Sequence, residues 1–339
     1  MLISKENCVK INRAIQLASK AGDKLGYVRI VSDAAGSRAF ATDNESTIVV
    51  YEIADGTGDV AIAASDAQKM FCGKYDVELT ETESGYKFDI GRGSSERASV
   101  DPNTIPLHDM SDMEGAEELD GDELRQAVSA AMACRDDGAN SRFQLSCAQV
   151  SCVDGQVRIA ATNGRVAVAV DLSGSGEEIV ETLISPDALK FIQSTKSELI
   201  ELLVDGRNVK VRDEWAIAEF RATGGRFPDV SKVIVKPSGA SSFHADTAAI
   251  KEDIGLATWD QGNFMIEEGR IAECDGPGVF GDVLAEGLPD IELSSEYVAK
   301  LLSAFSSCEI SISDEKSPVY IKLGDRENAA GVIMPISRS

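Results

Sequence analysis

The chain has 339 residues, 43% of them hydrophobic and 27% charged, and its formal charge is −24. That length predicts two or three domains, each able to bury a core. So acidic a balance excludes a general affinity for nucleic acid unless the positive residues are gathered on one surface, because phosphates respond to local potential. The seven cysteines, Cys8, Cys72, Cys134, Cys147, Cys152, Cys274 and Cys308, include no CxxC pair. They read as reduced thiols of a cytoplasmic protein, with no disulfide framework, metal site or cofactor expected. The opening MLISKENCVKINRAI has no apolar signal-type run, and no segment approaches membrane-spanning length, so no membrane association is expected.

In chain order, Val9, Ala14, Leu17, Ala18 and Ala21 form an apolar stripe at helical spacing, with Lys10, Arg13, Lys20 and Lys24 largely off it. A strand ends at Arg38-Ala39-Phe40-Ala41-Thr42-Asp43, and a short helix pattern follows at 64–71 (ASDAQKMF). Two alternating strands at 76–90 turn at Ser84-Gly85. The acidic stretch from Asp109 to Glu123 reads as a solvated linker running into a helix. That helix carries Leu124, Ala127, Val128, Ala131 and Met132, with Asp122 as its expected cap. Arg158-Ile159-Ala160-Ala161-Thr162-Asn163 ends a strand; SPDALKFI (185–192) is helical; strands at 198–211 turn at Asp205-Gly206, a favoured hairpin pair. A weaker helix at 245–259, interrupted by Gly255, precedes Arg270-Ile271-Ala272-Glu273-Cys274-Asp275. The helix SEYVAKLL (295–302) follows, then strands at 308–323, with Pro318 at a strand start or edge because it has no N–H to give the ladder.

These landmarks repeat. Arg38, Arg158 and Arg270 lie 120 and 112 residues apart, Lys69, Lys190 and Lys300 lie 121 and 110 apart, and each Arg precedes its Lys by 31, 32 and 30 residues. The expected organisation is α+β: three tandem helix-strands-helix-strands modules at 1–112, 113–236 and 237–339, each a sheet with two helices on one face. Modules joined edge to edge would form an arc or a ring, which covers their strand edges.

GGRFPDVSKVI (224–234), VRIAATNGRVAVAV (157–170) and SPVYIKL…GVIMPIS (317–337) resemble the bacterial DNA polymerase III β sliding clamp, and the resemblance covers the whole chain. It implies the DNA clamp fold, with three modules forming half of a six-module ring closed by a head-to-tail homodimer around double-stranded DNA. The implied role is a non-catalytic processivity factor, placed on DNA by an ATP-driven loader and tethering polymerases through short linear motifs. A sliding ring needs sequence-independent attraction to the backbone and no base readout. Lys10, Arg13, Lys20, Lys24, Lys69, Lys74, Lys190, Lys196 and Lys300 are the expected DNA-facing residues.

The resemblance also implies a hydrophobic peptide cleft built from Leu145, Thr162, Gly164, Arg165, Val166, Pro228, Lys232, Val233, Pro318, Val332, Met334 and Pro335. Apolar anchors worth about 1.5–3 kcal/mol each when fully buried would offset the ordering of a flexible guest. Where the family commonly has T-D-G-H-R-L, this chain has Thr162-Asn163-Gly164-Arg165-Val166-Ala167, so a different peptide preference is expected. At the head-to-tail interface, where the family tends to place an aromatic and a leucine, stand Ala98 and Val100; Trp259 is a further candidate. The alternative is a clamp-like paralogue, or a phage- or plasmid-type factor, acting as a peptide-binding scaffold without normal loading.

Nothing in the sequence supports an enzyme. The two histidines, His108 and His244, accompany no GxSxG elbow, Walker A loop or HExxH pair. Ser173-Gly174-Ser175-Gly176 resembles a phosphate loop, but Glu177-Glu178 follow and it reads as a hairpin linker.

Overall fold

In a computed structural model of the chain, the residues described are 1–83, 85–137, 143–174, 176, 179–258, 262–274, 276–282, 284–325 and 328–336, with the side chains of Asp23 and Lys24 excepted. The chain begins with β1 (Leu2–Ile3), α1 (Lys5–Ala18), the short α2 (Gly22–Leu25), β2 (Tyr27–Asp33), β3 (Gly36–Thr42), β4 (Ser46–Tyr51) and β5 (Gly58–Ala63). Then come α3 (Ala64–Met70), β6 (Val77–Thr82), β7 (Gly85–Asp89) and β8 (Ser94–Ala98). The order returns with β9 (Glu117–Asp120), α4 (Gly121–Cys134), the short α5 (Phe143–Ser146), β10 (Ala148–Val153), β11 (Gln156–Thr162), β12 (Val166–Asp171) and β13 (Thr182–Ile184). It continues through α6 (Pro186–Ser194), β14 (Leu199–Val204), β15 (Asn208–Arg212) and β16 (Ala216–Arg221). A third pass runs β17 (Ser241–Asp246), α7 (Thr247–Ala257), β18 (Asn263–Glu267), β19 (Arg270–Glu273), β20 (Val279–Phe280) and β21 (Ile291–Ser294). It closes with α8 (Ser295–Leu302), β22 (Ser307–Ile312), β23 (Val319–Leu323) and β24 (Ala329–Ile333). The fold is α+β, with the helix-strands-helix-strands order three times over.

The first helix of each pass starts the same way. Ser4, Asp120 and Asp246, all in extended backbone, accept from N–H groups of the first turn: Asn7, Glu123, and Ala248 with Ala249. Each such cap is worth about 1 kcal/mol. The cap of α4 is therefore Asp120, not Asp122, which lies inside the helix and pairs with Arg125 at 2.7 Å. In α1 the buried stripe is Cys8, Ile11, Ala14, Ile15, Leu17 and Ala18, while Val9 is 56% exposed. Gly255 does not break α7, which runs past it to Ala257.

Contacts divide the chain into two compact units, Met1–Glu118 with Thr195–Arg221, and Leu119–Ser194 with Ala222–Ser339. In the first, strands run β5-β2-β3-β4-β16-β15-β14 in one sheet and β1-β6-β7-β8 in another. Antiparallel pairing of β4 with β16, from Ala216↔Val50 to Phe220↔Ser46, joins strands of the first and second passes. Val31, Phe40, Val49 and Ile217 pack there with Met110. The acidic stretch is thus not wholly solvated: its methionines Met110 and Met113 are buried while the carboxylates around them stay outside.

In the second unit the sheets run β13-β10-β11-β12-β24-β23-β22-β17 and β20-β19-β18-β21. The joint is now β12 with β24, from Val166↔Ile333 to Val170↔Ala329. Equivalent strands bury alike: β3 and β11 share one pattern, exposed at the first residue and buried over the last four. Their turns are closed by equivalent threonines, the Thr42 hydroxyl donating to the Ser46 carbonyl at 2.9 Å and the Thr162 hydroxyl to that of Val166 at 2.7 Å.

Candidate functional site

The sheet of the second unit has two faces. A Cβ at Gly331 of β24 would stand 2.8 Å from a Leu301 methyl of α8, so odd-numbered residues of β24 face the helix. Successive side chains alternate, which sends Val332 and Met334 to the opposite face. There Val332 joins Leu145, Cys147, Ala160, Ala167, Leu183, Phe227 and Val230 in one buried cluster, with Ala169, Ile234 and Tyr320 packed against it. The cover is the segment after Pro228. Its 3-10 turn, Val230–Lys232, turns Val230 inward, and the backbone N–H groups of Val233 and Ile234 donate to the Val230 carbonyl at 3.1 and 2.9 Å.

Around this cluster the surface is apolar. Met334 is 43% exposed, Val233 48%, Val235 60% and Phe143 62%. The Met334 N–H donates to the Arg165 carbonyl at 2.8 Å, which continues the β12–β24 ladder past Ile333 and fixes where the tail lies. Pro318, half-buried, immediately precedes β23, whose Val319 pairs with Ile333. Pro335 is half-buried, and the Ile336 N–H donates to the Glu292 carbonyl at 2.9 Å.

The rim is polar. Arg165 is exposed, its backbone N–H held by the Asn163 carboxamide at 2.9 Å, and Gly164 supplies the φ of 87° that the turn requires. Lys232 pairs with Asp229 at 3.1 Å, and bonds from Ser231 and Lys232 hold the Asp229 carboxyl below its usual range. Lys236 pairs with Glu309 at 2.6 Å and lowers that carboxyl likewise.

Leu145, Val332, Met334, Pro335 and Pro318 therefore lie at or beside one apolar face, rimmed by Arg165, Gly164, exposed Pro228, Lys232 and Val233. One expectation changes. Val166 pairs with Ile333 one step out of phase with Ala167 and Val332, so it is buried on the helix side and not on the cluster's face. Thr162 pairs with Ala167 and so shares the cluster's face, buried, with its hydroxyl closing the turn as Thr42 does in the first pass. Sequence reading missed Phe227, Val230, Ala167 and Tyr320.

The positive residues divide into two groups. Arg13 is not a surface cation: its guanidinium pairs with Asp213, whose side chain is 1% exposed. Lys10 lies over the Trp215 ring at 4.5 Å. Lys20, Lys69, Lys74, Lys190, Lys196 and Lys300 are exposed, with Lys190 beside Asp187 at 3.7 Å and Lys300 paired with Glu296. The side chain of Lys24 lies outside what is described, as does Trp259.

Of the two interface candidates that are described, Ala98 is exposed on β8, the outer strand of its sheet. Val100 is half-buried and bridged to Ala61. The Ser173 N–H and hydroxyl both donate to the Glu123 carboxylate, at 3.1 and 3.2 Å, so those donors already serve an anion of the protein itself. A cavity of about 260 Å³ beside them, lined by Glu123, Asp171, Asp325 and Asn328 among others, is polar and does not touch the apolar cluster. Among the described residues no group of His, Cys, Asp and Glu could hold a metal ion, and no helix is long and apolar enough to cross a membrane.

The architecture is that of the DNA sliding clamps. Solved structures of bacterial DNA polymerase III β subunits share it over essentially the whole chain. The β subunit from Thermotoga maritima is 17% identical with a TM-score of 0.82, covering 100% of this chain and 99% of that one. The sliding clamp from Bacillus subtilis is 15% identical at 0.81, with the same coverage. A clamp from Pseudomonas aeruginosa bound to griselimycin is 14% identical at 0.82, again covering 100% and 99%. No protein-family model and no curated protein sequence matches the chain. The likeness is one of fold.

Proposed function

We propose that this protein is a sliding clamp: a non-catalytic cytoplasmic ring, made of two chains of three modules each, that encircles duplex DNA and tethers a polymerase and a clamp loader through the apolar face around Val332 and Met334. One observation carries the reading. The same antiparallel joint occurs twice within the chain, β4 with β16 and β12 with β24, and its two halves are left over once each, as β8 and β20 at the outer edges of their sheets. A head-to-tail dimer uses those edges, with Ala98 on one of them, and leaves none of them open.

The tether is a set of apolar anchors on a rigid sheet. Val332 and the cover segment make the floor, while Met334 offers an adaptable thioether to different guests. Arg165 and Lys232 give the rim positive charge in an otherwise acidic protein. DNA attraction is assigned to the exposed lysines Lys20, Lys69, Lys74, Lys190, Lys196 and Lys300, with Lys10 held at its tryptophan and Lys24 kept from the sequence pattern. Arg13 supports the frame.

The test is processive synthesis on primed circular DNA with a polymerase and loader from one system. Longer products that depend on this protein, and that vanish with Val332→Asp, support the reading. Absence of stimulation by any cognate polymerase, in a protein that still binds polymerase peptides, would reduce it to a peptide-binding scaffold.

A further inference from the structure

The two joints within the chain match position for position. Glu45, Ser46 and Thr47 of the first stand opposite Arg221, Phe220 and Glu219; Arg165, Val166 and Ala167 of the second stand opposite Met334, Ile333 and Val332. Both ladders close at the same place, the Arg221 N–H donating to the Glu45 carbonyl and the Met334 N–H to that of Arg165, each at 2.8 Å. On the next strand Lys210 lies opposite Glu219, as Tyr320 lies opposite Val332. The turns match too. The Asp43 carboxylate accepts from the Glu45 and Ser46 N–H groups at 3.0 and 2.7 Å, and the Asn163 carboxamide from those of Arg165 and Val166 at 2.9 and 3.0 Å.

In the first joint the charges on this face are answered from within the chain: Arg221 pairs with Glu45 at 3.7 Å and Lys210 with Glu219 at 3.8 Å. In the second joint the acids are gone. Val332 stands in the place of Glu219 and Met334 in that of Arg221, while Asn163 makes the bonds of Asp43 without its charge. One cation is left, Arg165, exposed on its turn. Among the described residues no carboxylate pairs with its guanidinium, whereas Lys232 is taken by Asp229 and Lys236 by Glu309. By alternation Arg165 shares a face with Ala167, and its cross-strand neighbour Met334 is 43% exposed. A guanidinium is a planar fork that suits a carboxylate and keeps its charge at every ordinary pH.

We infer that Arg165 selects the guest of the apolar face: a partner segment whose apolar side chains pack on Met334 and the cluster beneath it, and whose neighbouring Asp or Glu side chain takes the guanidinium. That carboxylate fills the role that an acid of the chain itself fills in the first joint. The inference rests on the tether reading above and adds the chemistry of the guest. The overall charge of −24 repels such a segment, so local and overall charge predict opposite responses to salt. The same logic keeps the guest off the first joint, where Glu219 stands in the place of Val332 and Glu45 in that of Arg165.

A library of random peptides about twelve residues long, displayed on phage and panned on the full chain, supplies the probe; selected peptides are remade with capped ends. Met334→Glu, at an exposed position, identifies those that bind the apolar face, and most of these are expected to carry Asp or Glu beside apolar residues. In calorimetry, exchanging that acid for its amide, or Arg165→Gln, is expected to weaken binding about three- to tenfold. Arg165→Glu with the acid changed to lysine should recover to within about threefold. Arg165→Gln keeps both backbone bonds of the turn, so the fold is retained. Raising salt from about 50 mM to about 500 mM should weaken the acidic peptide and leave its amide counterpart within about twofold. Peptides that need Met334 but carry no acid, or an acidic peptide that is indifferent to Arg165→Gln or binds more tightly in high salt, overturn this inference and leave the tether intact. If no panned or polymerase peptide is sensitive to Met334→Glu, the tether reading itself falls.

Discussion

Replacing Arg13 by methionine separates a structural cation from a DNA-binding one. Asp213 is 1% exposed at its side chain; one carboxylate oxygen accepts from the Trp215 and Ala216 N–H groups at 3.0 and 2.9 Å, and the other takes Arg13. Removing one partner of a buried pair costs about 3–5 kcal/mol, because the other charge is left uncompensated. Here the two backbone donors keep part of the carboxylate satisfied, so the expected loss is about 2–3 kcal/mol. Removing the charge as well, in Arg13→Met with Asp213→Asn, should recover about 1 kcal/mol, a coupling typical of side chains in direct contact. Urea unfolding followed by fluorescence reads this locally. The chain has two tryptophans, so a Trp259→Phe background leaves Trp215, next to the pair, as the only reporter. DNA affinity at temperatures where the variant is folded should stay within about twofold of the parent, since the charge that was removed is already neutralised. A stability loss below about 0.5 kcal/mol, or a fall in DNA affinity matching that of an exposed lysine variant, refutes the reasoning.

Other outcomes follow from the same geometry. Lys69→Ala with Lys74→Ala should flatten the dependence of log affinity for DNA on log salt by about two, measured by fluorescence anisotropy; an unchanged slope removes both from the DNA-facing set. Ending the chain at Ile333 removes the backbone hydrogen bonds of Met334 and Ile336 and exposed apolar surface, so the protein should fold, at a cost of about 1–3 kcal/mol, and lose binding of polymerase peptides in calorimetry. Burial pushes the Cys8 and Cys134 thiols from 9.0 up to about 12, and Tyr86 from 10.0 to about 12. The native state therefore keeps protons that the unfolded chain releases: stability is fully present below pH 9 and falls as pH rises toward 12, which denaturant titrations at stepped pH would reveal. A thiol reagent on the native protein should label exposed Cys72 and Cys152 first and buried Cys8, Cys134, Cys147 and Cys308 only on unfolding, readable by peptide mass mapping.

The repeat was legible because its landmarks are local. An arginine near the start of a strand and a lysine in the helix that follows keep their spacing whatever the third dimension does, and the order of elements followed from them. The residues of the apolar face were legible only through likeness to a family, and Val166 was misplaced among them for a plain reason. A motif gives residues in a row, whereas a strand sends neighbours to opposite faces. Thr162-Asn163-Gly164-Arg165-Val166-Ala167 therefore held residues of both faces in a row: Thr162 and Ala167, which pair with each other, lie on the cluster's face, and Val166 is turned to the helix side. Arg13 was misread for a similar reason. Its place off the apolar stripe of α1 marks it as turned from the first module's core, but its partner is 200 residues away, on a turn that only the β4–β16 joint brings beside the helix.

Neither compact unit coincides with one module; each contains one complete joint, so a continuous sheet crosses each module boundary. In the first unit the joint is reinforced by a buried ion pair and a cation over an aromatic ring. In the second, Asp171 and Asn328 exchange bonds: the Asp171 N–H donates to the Asn328 carbonyl at 2.7 Å and the Asn328 carboxamide to the Asp171 carbonyl at 2.6 Å.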